Sequence, residues 1–562
     1  MYRLEYSCAI AALFLVSATP FLTSAQVAIP GTADPGQIDR RFEERPQPRA
    51  LPLELPDEID VGRLAPEGAA ETRFIVQRIE IAPSTVYDAS ALNAYTSDIA
   101  VGDEISVAQI YEIADRITAL YGNDGYILSR AFLPAQTLGD GVVQIGILEG
   151  YVDNVEIEGD DARGIMDRTS EVVMKARPFN NSFLEYYLLI ANDQPGVSAQ
   201  SFFRKSETEA GASTLLLRIT ANRSKPVGGR IGFDNRGSDT TGPLEIDGSL
   251  TFSNLSGFYD RTQLRVVQAI PTSELTFGSI THDQLLSPEG TKLTLSGSYS
   301  TSEPGGAILR AIEQESESFS GKLTLTQPII RSRSENLEVS GAIGFRNTRS
   351  EQLGATATRD RIRTVELGLA YDFGDTSGGV NQFTATIVKG IDGLGSTDAN
   401  NPFASRADGE PDFLLAEFTV SRQQQLPMGF GLNLTAKAQI SADPLLSSAE
   451  CGLGGESFGR AFDSSEVTGD HCLMGGIELT YQVPIEIEGL QFLQLYSFFD
   501  GGRVWNKGLS PNAGLASVGG GLRFGLGSRL TGSLEVAQPL GRDVSSSGDR
   551  DPRAFFRIGG TF

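Results

Sequence analysis

From about residue 225 onward the chain alternates apolar and polar residues with a period of two. Leu244, Ile246, Gly248, Leu250 and Phe252 share one face of an extended chain; Glu245, Asp247, Ser249 and Thr251 share the other. The same dyad sets Val365, Leu367, Leu369, Tyr371 and Phe373 against Glu366, Gly368, Ala370 and Asp372. It returns in Leu432, Leu434, Ala436, Ala438 and Ile440, and again in Ile477, Leu479, Tyr481 and Val483. Successive side chains of a strand point to opposite faces, so the pattern predicts strands with one apolar and one wet side. Polar, Gly-rich connectors (237–242, 392–409) separate them. A soluble sandwich and a membrane barrel both use such strands. In lipid only closure removes unpaired edges, and alternating segments of about ten residues split by turns are the barrel signature. Residues 554–562 form one more alternating segment, ending on Phe562. The pattern favours a barrel.

The preceding part of the chain reads differently. Between Phe74 and about Thr220 a mixed α/β pattern occurs twice. Residues 74–81 are strand-like, and Val107, Ile110, Ala114, Ile117, Leu120 and Tyr121 then follow helical spacing. Asp103 and Ser106 are start signals for this helix, and Gly122 and Gly125 are stop signals. Residues 127–134 and 142–148 predict two more strands. The second unit restarts at Val152, Val155 and Ile157, continues through a helix-like stretch at 183–190, and closes on a strand at 214–219. Residues 26–70 carry seven prolines and read as a tether. Within it, 35–44 predicts a short polar helix with Asp34 as N-cap and Pro35 in the first turn. Its only apolar pair is Ile38 and Phe42, which suits a polar plug or a disordered tail. Arg3, the apolar run 8–16 and the small residues Thr23, Ser24 and Ala25 predict a processed export signal over 1–25.

Composition narrows the chemistry. The 562 residues include 71 acidic against 46 basic side chains, for a net charge of −25, which argues against a nucleic-acid partner. No apolar run reaches the roughly 20 residues of a spanning helix. Two His and three Cys come close to excluding a Cys/His metal site. No phosphate-binding Gly-Lys-Ser/Thr motif occurs, and no metal or cofactor is expected. Gly455, Ser457 and Gly459 match G-x-S-x-G, with His471 beyond them. A nucleophile elbow needs a strand–turn–helix setting, which these Gly-rich neighbours do not supply, so no catalytic residue is assigned. His282, beside Asp283, reads as a rim residue.

An export signal, a Pro-rich tether, two α+β modules and a barrel closing on Phe resemble the outer-membrane transporters of two-partner secretion, the TpsB family. Residues 120–127, 130–134, 141–143 and 148–150 resemble the family's first POTRA (polypeptide-transport-associated) module, and 188–197 the second. The resemblance implies a signal peptide at 1–25, a plug helix and linker at 26–70, POTRA modules at 71–150 and 151–222, and a transmembrane antiparallel β-barrel of sixteen strands at 223–562. It implies partner contacts at Tyr121, Gly125, Tyr126, Asn192, Pro195 and Gly196. Phe458-Gly459-Arg460-Ala461-Phe462-Asp463 resembles the tip of the family's inward-folded loop, with Ala461 where the family usually has Gly. Phe498, Asp500 and Gly502 resemble the barrel-wall motif that receives the arginine. Cys451 and Cys472 bracket that tip and are expected to pair in an oxidising periplasm, two unrelated thiols being the alternative.

The implied function is an outer-membrane translocator. Its periplasmic POTRA modules would recognise an unfolded, TpsA-like exoprotein, and its barrel would secrete that cargo. The implied surroundings are outer-membrane lipid and a barrel-assembly machinery that reads the C-terminal Phe562. An assembly factor, a passive porin and a barrel esterase using Ser457 are the competing readings.

Overall fold

Sixteen strands, each antiparallel to its neighbours, form a ring that closes where Arg553–Thr561 pairs with Val227–Asp234. This computed structural model describes residues 30–43, 47–52, 65–159, 161, 163–221, 227–399, 401–507 and 512–562. The export signal at 1–25, Glu44 and the middle of the tether lie outside them. Alternation explains the closure: Ile246, Leu250, Val365, Leu367, Leu434, Ile440, Ile477 and Leu479 are exposed on the outer wall. Glu245, Asp372, Gln439 and Glu478 are buried inside. An apolar exterior around a polar interior, with no free sheet edge in the ring, fits lipid outside and rules out a sandwich. Among the described residues no helix is long and apolar enough to cross a membrane.

Three adjacent strands, Glu315–Arg331, Glu335–Gln352 and Ala355–Gly374, are 17, 18 and 20 residues long. They outrun the alternating stretch at 365–373 because pairing continues through Thr- and Arg-rich sequence beyond the apolar band.

In the first module the helix Val107–Asn123 packs on a sheet ordered Arg78–Ile81, Val142–Leu148, Arg130–Phe132. Ser106 and Gln109 close a reciprocal capping box at its start. The helix runs through Gly122 and stops at Asp124, where Gly125 takes φ +87°. The strand expected at 74–81 is two: Arg73–Ile75 pairs with Glu104–Ser106, and Arg78–Ile81 joins Val142–Leu148 in parallel. Only Arg130–Phe132 of the segment at 127–134 is strand. The second module stacks the helices Ile165–Lys175 and Asn181–Asn192 on a sheet ordered Tyr151–Glu158, Ala212–Ala221, Val197–Lys205.

This second module is joined to one rim of the barrel. Barrel residues Tyr259 and Leu285 belong to its core. Tyr186 Oη donates to the carbonyls of Glu289 (3.0 Å) and Pro328 (3.1 Å). Arg331 holds Asp193 through Nε and Nη2 at 2.9 and 2.8 Å. The long connections 391–399 with 401–413, 442–470 and 541–552 occupy the opposite rim.

Candidate functional site: a lumen closed by a helix and an inward-folded loop

Two segments that belong to no wall strand occupy the lumen. The first is the helix Pro35–Arg41, with Asp34 Oδ1 accepting from the backbone of Gly36 (2.9 Å) and Gln37 (3.1 Å). Its apolar pair has a small core to enter: Ile38 and Phe42 pack with Val267, Ala269, Leu275 and Phe277 of the wall. The Phe42 and Phe277 rings lie 4.5 Å apart. Its polar face is paired to the barrel: Arg41 binds Glu245 at 2.6 and 2.7 Å, Arg40 reaches Glu417 at 2.9 Å, and Asp39 accepts from Ser298 at 2.6 Å. The helix is thus docked by ion pairs inside a polar lumen.

The second segment is the loop 442–470, whose base folds into a ribbon of Cys451–Leu453 against Val467–Gly469. Cys451 is disulfide-bonded to Cys472 on the wall strand His471–Gln482. At the tip, Asp500 Oδ1 accepts the backbone N–H of Gly459 (2.7 Å), that of Arg460 (3.2 Å) and the Ser517 hydroxyl (2.8 Å). Its Oδ2 lies 2.9 Å from Arg460 Nε, an ion contact without hydrogen-bond alignment. Arg460 Nη1 donates to Glu478 at 2.7 Å and lies 3.7 Å from Glu535. The Arg460 guanidinium stacks 4.1 Å from the Phe498 ring centroid. Arg523 binds Glu478 through two nitrogens at 2.9 Å, and Arg236 binds Glu535 at 2.7 Å. Three guanidiniums thus face three carboxylates. Around this cluster Phe458 and Phe462 are buried with Met474, Tyr496 and Leu515.

Glycine is required at two points of this joint. Gly459 takes φ +76°, and a Cβ there would sit 2.3 Å from Leu515 Cδ1. A Cβ on Gly502 would lie 2.5 Å from the Leu473 carbonyl, so the bare backbone lets two wall strands approach. Ala461 is fully buried, and the left-handed backbone falls on Gly459 instead, so this departure from the family pattern costs no strain.

Helix and loop are bonded directly to each other. Gln37 Nε2 donates to the carbonyls of Ser447 (2.7 Å) and Glu450 (3.0 Å), while Ser465 Oγ donates to Gln37 Oε1 (3.0 Å). Arg40 donates to the Glu450 carbonyl at 2.8 Å. A cavity of about 490 Å³ remains beside the helix, bounded by Asp39, Glu43, Lys322, Arg346 and Glu417 among others.

The structure gathers Arg460, Phe462, Phe498, Asp500 and Gly502 at this joint. Glu478, Glu535, Arg236 and Arg523 were missed in the sequence, where they look like ordinary wet-face residues. Of the POTRA residues, Tyr121 is in the core, Gly125, Tyr126 and Pro195 are half-buried, and Asn192 and Gly196 are exposed. Tyr121 is fully buried, with Oη 2.5 Å from Ser84 Oγ and donating to Glu149 at 3.0 Å. Tyr126 packs edge-on against it. Gly125 turns the chain toward the second module, its carbonyl accepting from Asn181 N–H at 2.8 Å. Asn192 ties its helix to Ala199 through both amide atoms, at 3.0 and 2.9 Å. Pro195 and Gly196 form the turn into Val197–Lys205. Phe562 lies outside the wall; its ring covers Gly229, and both backbone hydrogen bonds to Gly229 complete the seam. Ser457 sits in a bend of the loop, and His471 Nδ1 accepts from Ser441 N–H at 3.2 Å, so no nucleophile elbow forms. His282 lies near the module-side end of its strand, 2.8 Å from Thr262 Oγ1.

Known proteins place this architecture. The POTRA domain of ShlB type matches residues 74–150. The heme/hemopexin transporter protein HuxB of Haemophilus influenzae is 24% identical over 547 residues, covering 94% of this chain and 95% of that protein. The outer membrane transporter CdiB of Dickeya dadantii is 25% identical over 449 residues, covering 77% of each. Among solved structures, CdiB from Escherichia coli superposes with a TM-score of 0.69 at 21% identity, covering 92% of this chain and 94% of that one. BamA from Haemophilus ducreyi, lacking POTRA domains 1–3, shares the fold at a TM-score of 0.50 and 13% identity, covering 87% of this chain and all of that one. The family described as haemolysin secretion/activation protein ShlB/FhaC/HecB matches residues 211–524, more than half of the sequence. The chain belongs to this family of outer-membrane two-partner secretion transporters, with its barrel in the outer membrane and its POTRA region in the periplasm.

Proposed function

We propose that the chain secretes one dedicated, TpsA-like exoprotein, taken up unfolded from the periplasm and passed through the lumen after plug and loop withdraw together. The observation that carries this reading is the direct bonding of Gln37 and Arg40 to the loop whose tip is held by Asp500. Neither segment can leave without disturbing the other. Arg460 and Asp500 serve as the latch, Phe462, Phe498 and Gly502 as its seat, and the disulfide as the loop's fixed base.

Cargo capture belongs to the second module's outer strand. Val197–Lys205 pairs only with Ala212–Ala221 among the described residues, and Phe202 on it is 44% exposed. An unpaired edge with an apolar side chain accepts an extended segment by strand addition. We divide the chain into a tether at 26–70, modules at 71–150 and 151–222, and a barrel from 223, with Phe562 presented to the assembly machinery.

The test compares medium, cell surface and outer membrane with and without this gene. Loss of one or two large exported proteins supports dedicated secretion. A broad fall in barrel proteins would replace this reading with an assembly factor, and no change would leave a porin or an enzyme using Ser457.

A further inference from the structure

We infer that the outer wall of the strand Ala355–Gly374, near its extracellular end, binds phosphate-bearing headgroups of outer-leaflet lipid. Side chains of this strand alternate between lumen and exterior. Asp360 and Ile362 are buried inside, whereas Val365, Leu367 and Leu369 are exposed on the outside. Arg359, Arg361 and Arg363 share the parity of Val365, so three guanidiniums continue the apolar stripe on the outer surface.

Neighbouring rings locate the edge of the hydrocarbon. Phe319 is half exposed, its centroid is 5.2 Å from that of Phe345, and the Arg363 guanidinium lies 5.8 Å from the Phe345 ring. Outward aromatics mark the membrane–water boundary of such barrels, so the arginines beside them stand at headgroup height. Among the described residues none of the three forms an ion pair with a carboxylate, although Arg346 and Arg349 nearby do. Arg363 is instead held to neutral groups, donating from Nε to the carbonyl of Leu394 (3.2 Å), a residue itself 81% exposed, and from Nη1 to Asn347 Oδ1 (2.9 Å) and the Ile362 carbonyl (2.7 Å). Guanidiniums bind phosphate with two parallel hydrogen bonds, and the flanking Val365, Phe345 and Leu394 offer apolar surface for acyl chains. A free phosphate would use the arginines alone; a lipid uses both.

The experiment titrates the purified full chain, stripped of lipid in detergent, with bisphosphorylated lipid A, dephosphorylated lipid A and inorganic phosphate, read by native mass spectrometry. Binding of the bisphosphorylated lipid is expected, with affinity falling by about tenfold or more in Arg359→Gln/Arg361→Gln/Arg363→Gln. Arg529→Gln, on a periplasmic turn, is expected to leave it unchanged. Heat-modifiable gel mobility reports folding; should the triple variant not fold, Arg361→Gln alone is expected to weaken binding severalfold. Equal affinity of the variants and the parent, or of the phosphorylated and dephosphorylated lipids, overturns the site. Displacement of the lipid by an equal concentration of inorganic phosphate overturns the lipid assignment.

Discussion

Asp500 holds Arg460 from two directions at once: one carboxylate oxygen accepts the residue's backbone N–H at 3.2 Å, and the other faces its guanidinium at 2.9 Å. The side chain alone therefore does not explain the docking. With Gly459 also donating to Asp500, the wall reads the shape of the tip as well as its charge.

Arg460→Ala leaves Asp500, Glu478 and Glu535 facing only Arg523 and Arg236, one buried charge short. Breaking such a cluster costs on the order of 3–5 kcal/mol. The expected outcome is a folded, inserted barrel with more frequent open events in planar bilayers and reduced secretion. Asp500→Asn keeps an acceptor for the two backbone donors and should be milder than Asp500→Ala. Normal export from Arg460→Ala cells at matched protein levels removes the latch role.

Gly36→Ala tests the joint between plug and loop. A Cβ there would lie 2.1 Å from Ser448 Cβ, so the helix or the loop must shift. Gln37→Ala removes the partner of two carbonyls and a hydroxyl, each worth about 1–3 kcal/mol if left buried and unsatisfied. Both variants should raise resting conductance and expose 442–470 to protease together. Conductance that rises while the loop stays protected would show two independent segments.

Much of this site is legible before folding. Dyad alternation marks the wall within a few residues, whereas Phe458–Asp463 and Phe498–Gly502 stand out only through their resemblance to the family's loop tip and barrel-wall motif. Glu478, Glu535, Arg236 and Arg523 do not stand out: each is one polar residue in an alternating strand, and only closure of the ring brings them together. The helix Ile165–Lys175 is hidden for a local reason. It starts at Gly164 in the left-handed region, its first amides are held from outside the usual cap position by the Asp161 carboxylate (3.0 Å to Ile165 N, 2.6 Å to Met166 N), and one of its four buried positions is Thr169. Tyr121 misleads in the opposite sense. It belongs to the motif that carries the family likeness, but its position is in the core.

Glu149 makes the first module sensitive to acid. Desolvation raises its pKa, but hydrogen bonds from Thr85, Ser84 and Tyr121 outweigh this and hold the carboxyl below its ordinary value. A depressed folded value contributes stability above the unfolded one, near 4.5, which is lost as pH falls through the folded value. Tyr121 acts at the other end: burial, with Glu149 beside it, pushes the phenol up to about 12. That contribution is complete below about pH 10 and lost as pH rises through 12. Hydrogen exchange at Thr85 and Val86 should therefore accelerate at both extremes, and Glu149→Gln should flatten the acid limb. An unchanged acid limb in the variant refutes the assignment.

Removing the disulfide separates the loop's base from its tip. The bond closes 21 residues of chain, for which the chain-entropy account gives roughly 3 kcal/mol. Cys451→Ser/Cys472→Ser should lower thermal stability and loosen the ribbon Cys451–Leu453, while the contacts of Arg460 with Asp500 persist. Protease cleavage is then expected near 447–455 before 458–463, and the reverse order contradicts a fixed base with a movable tip.

The cargo edge is distinguishable from its opposite. The second module has two edge strands, Tyr151–Glu158 and Val197–Lys205, and each exposes one large apolar residue, Ile157 at 36% and Phe202 at 44%. Tyr151–Glu158 runs parallel to the central strand, whereas Val197–Lys205 runs antiparallel to it. Either edge can take an added strand in either direction; Val197–Lys205 is favoured by its more exposed apolar side chain. It also lies over the helix Asn181–Asn192, whose Tyr186 bonds the barrel rim, so a captured segment starts beside the pore. Phe202→Asp puts a charge where the added strand would seat an apolar side chain, and should weaken cargo binding and slow secretion with the barrel intact. Ile157→Asp should leave both unchanged. If the effects are reversed, cargo pairs with the parallel edge; if neither variant alters secretion, capture does not proceed by strand addition to this sheet.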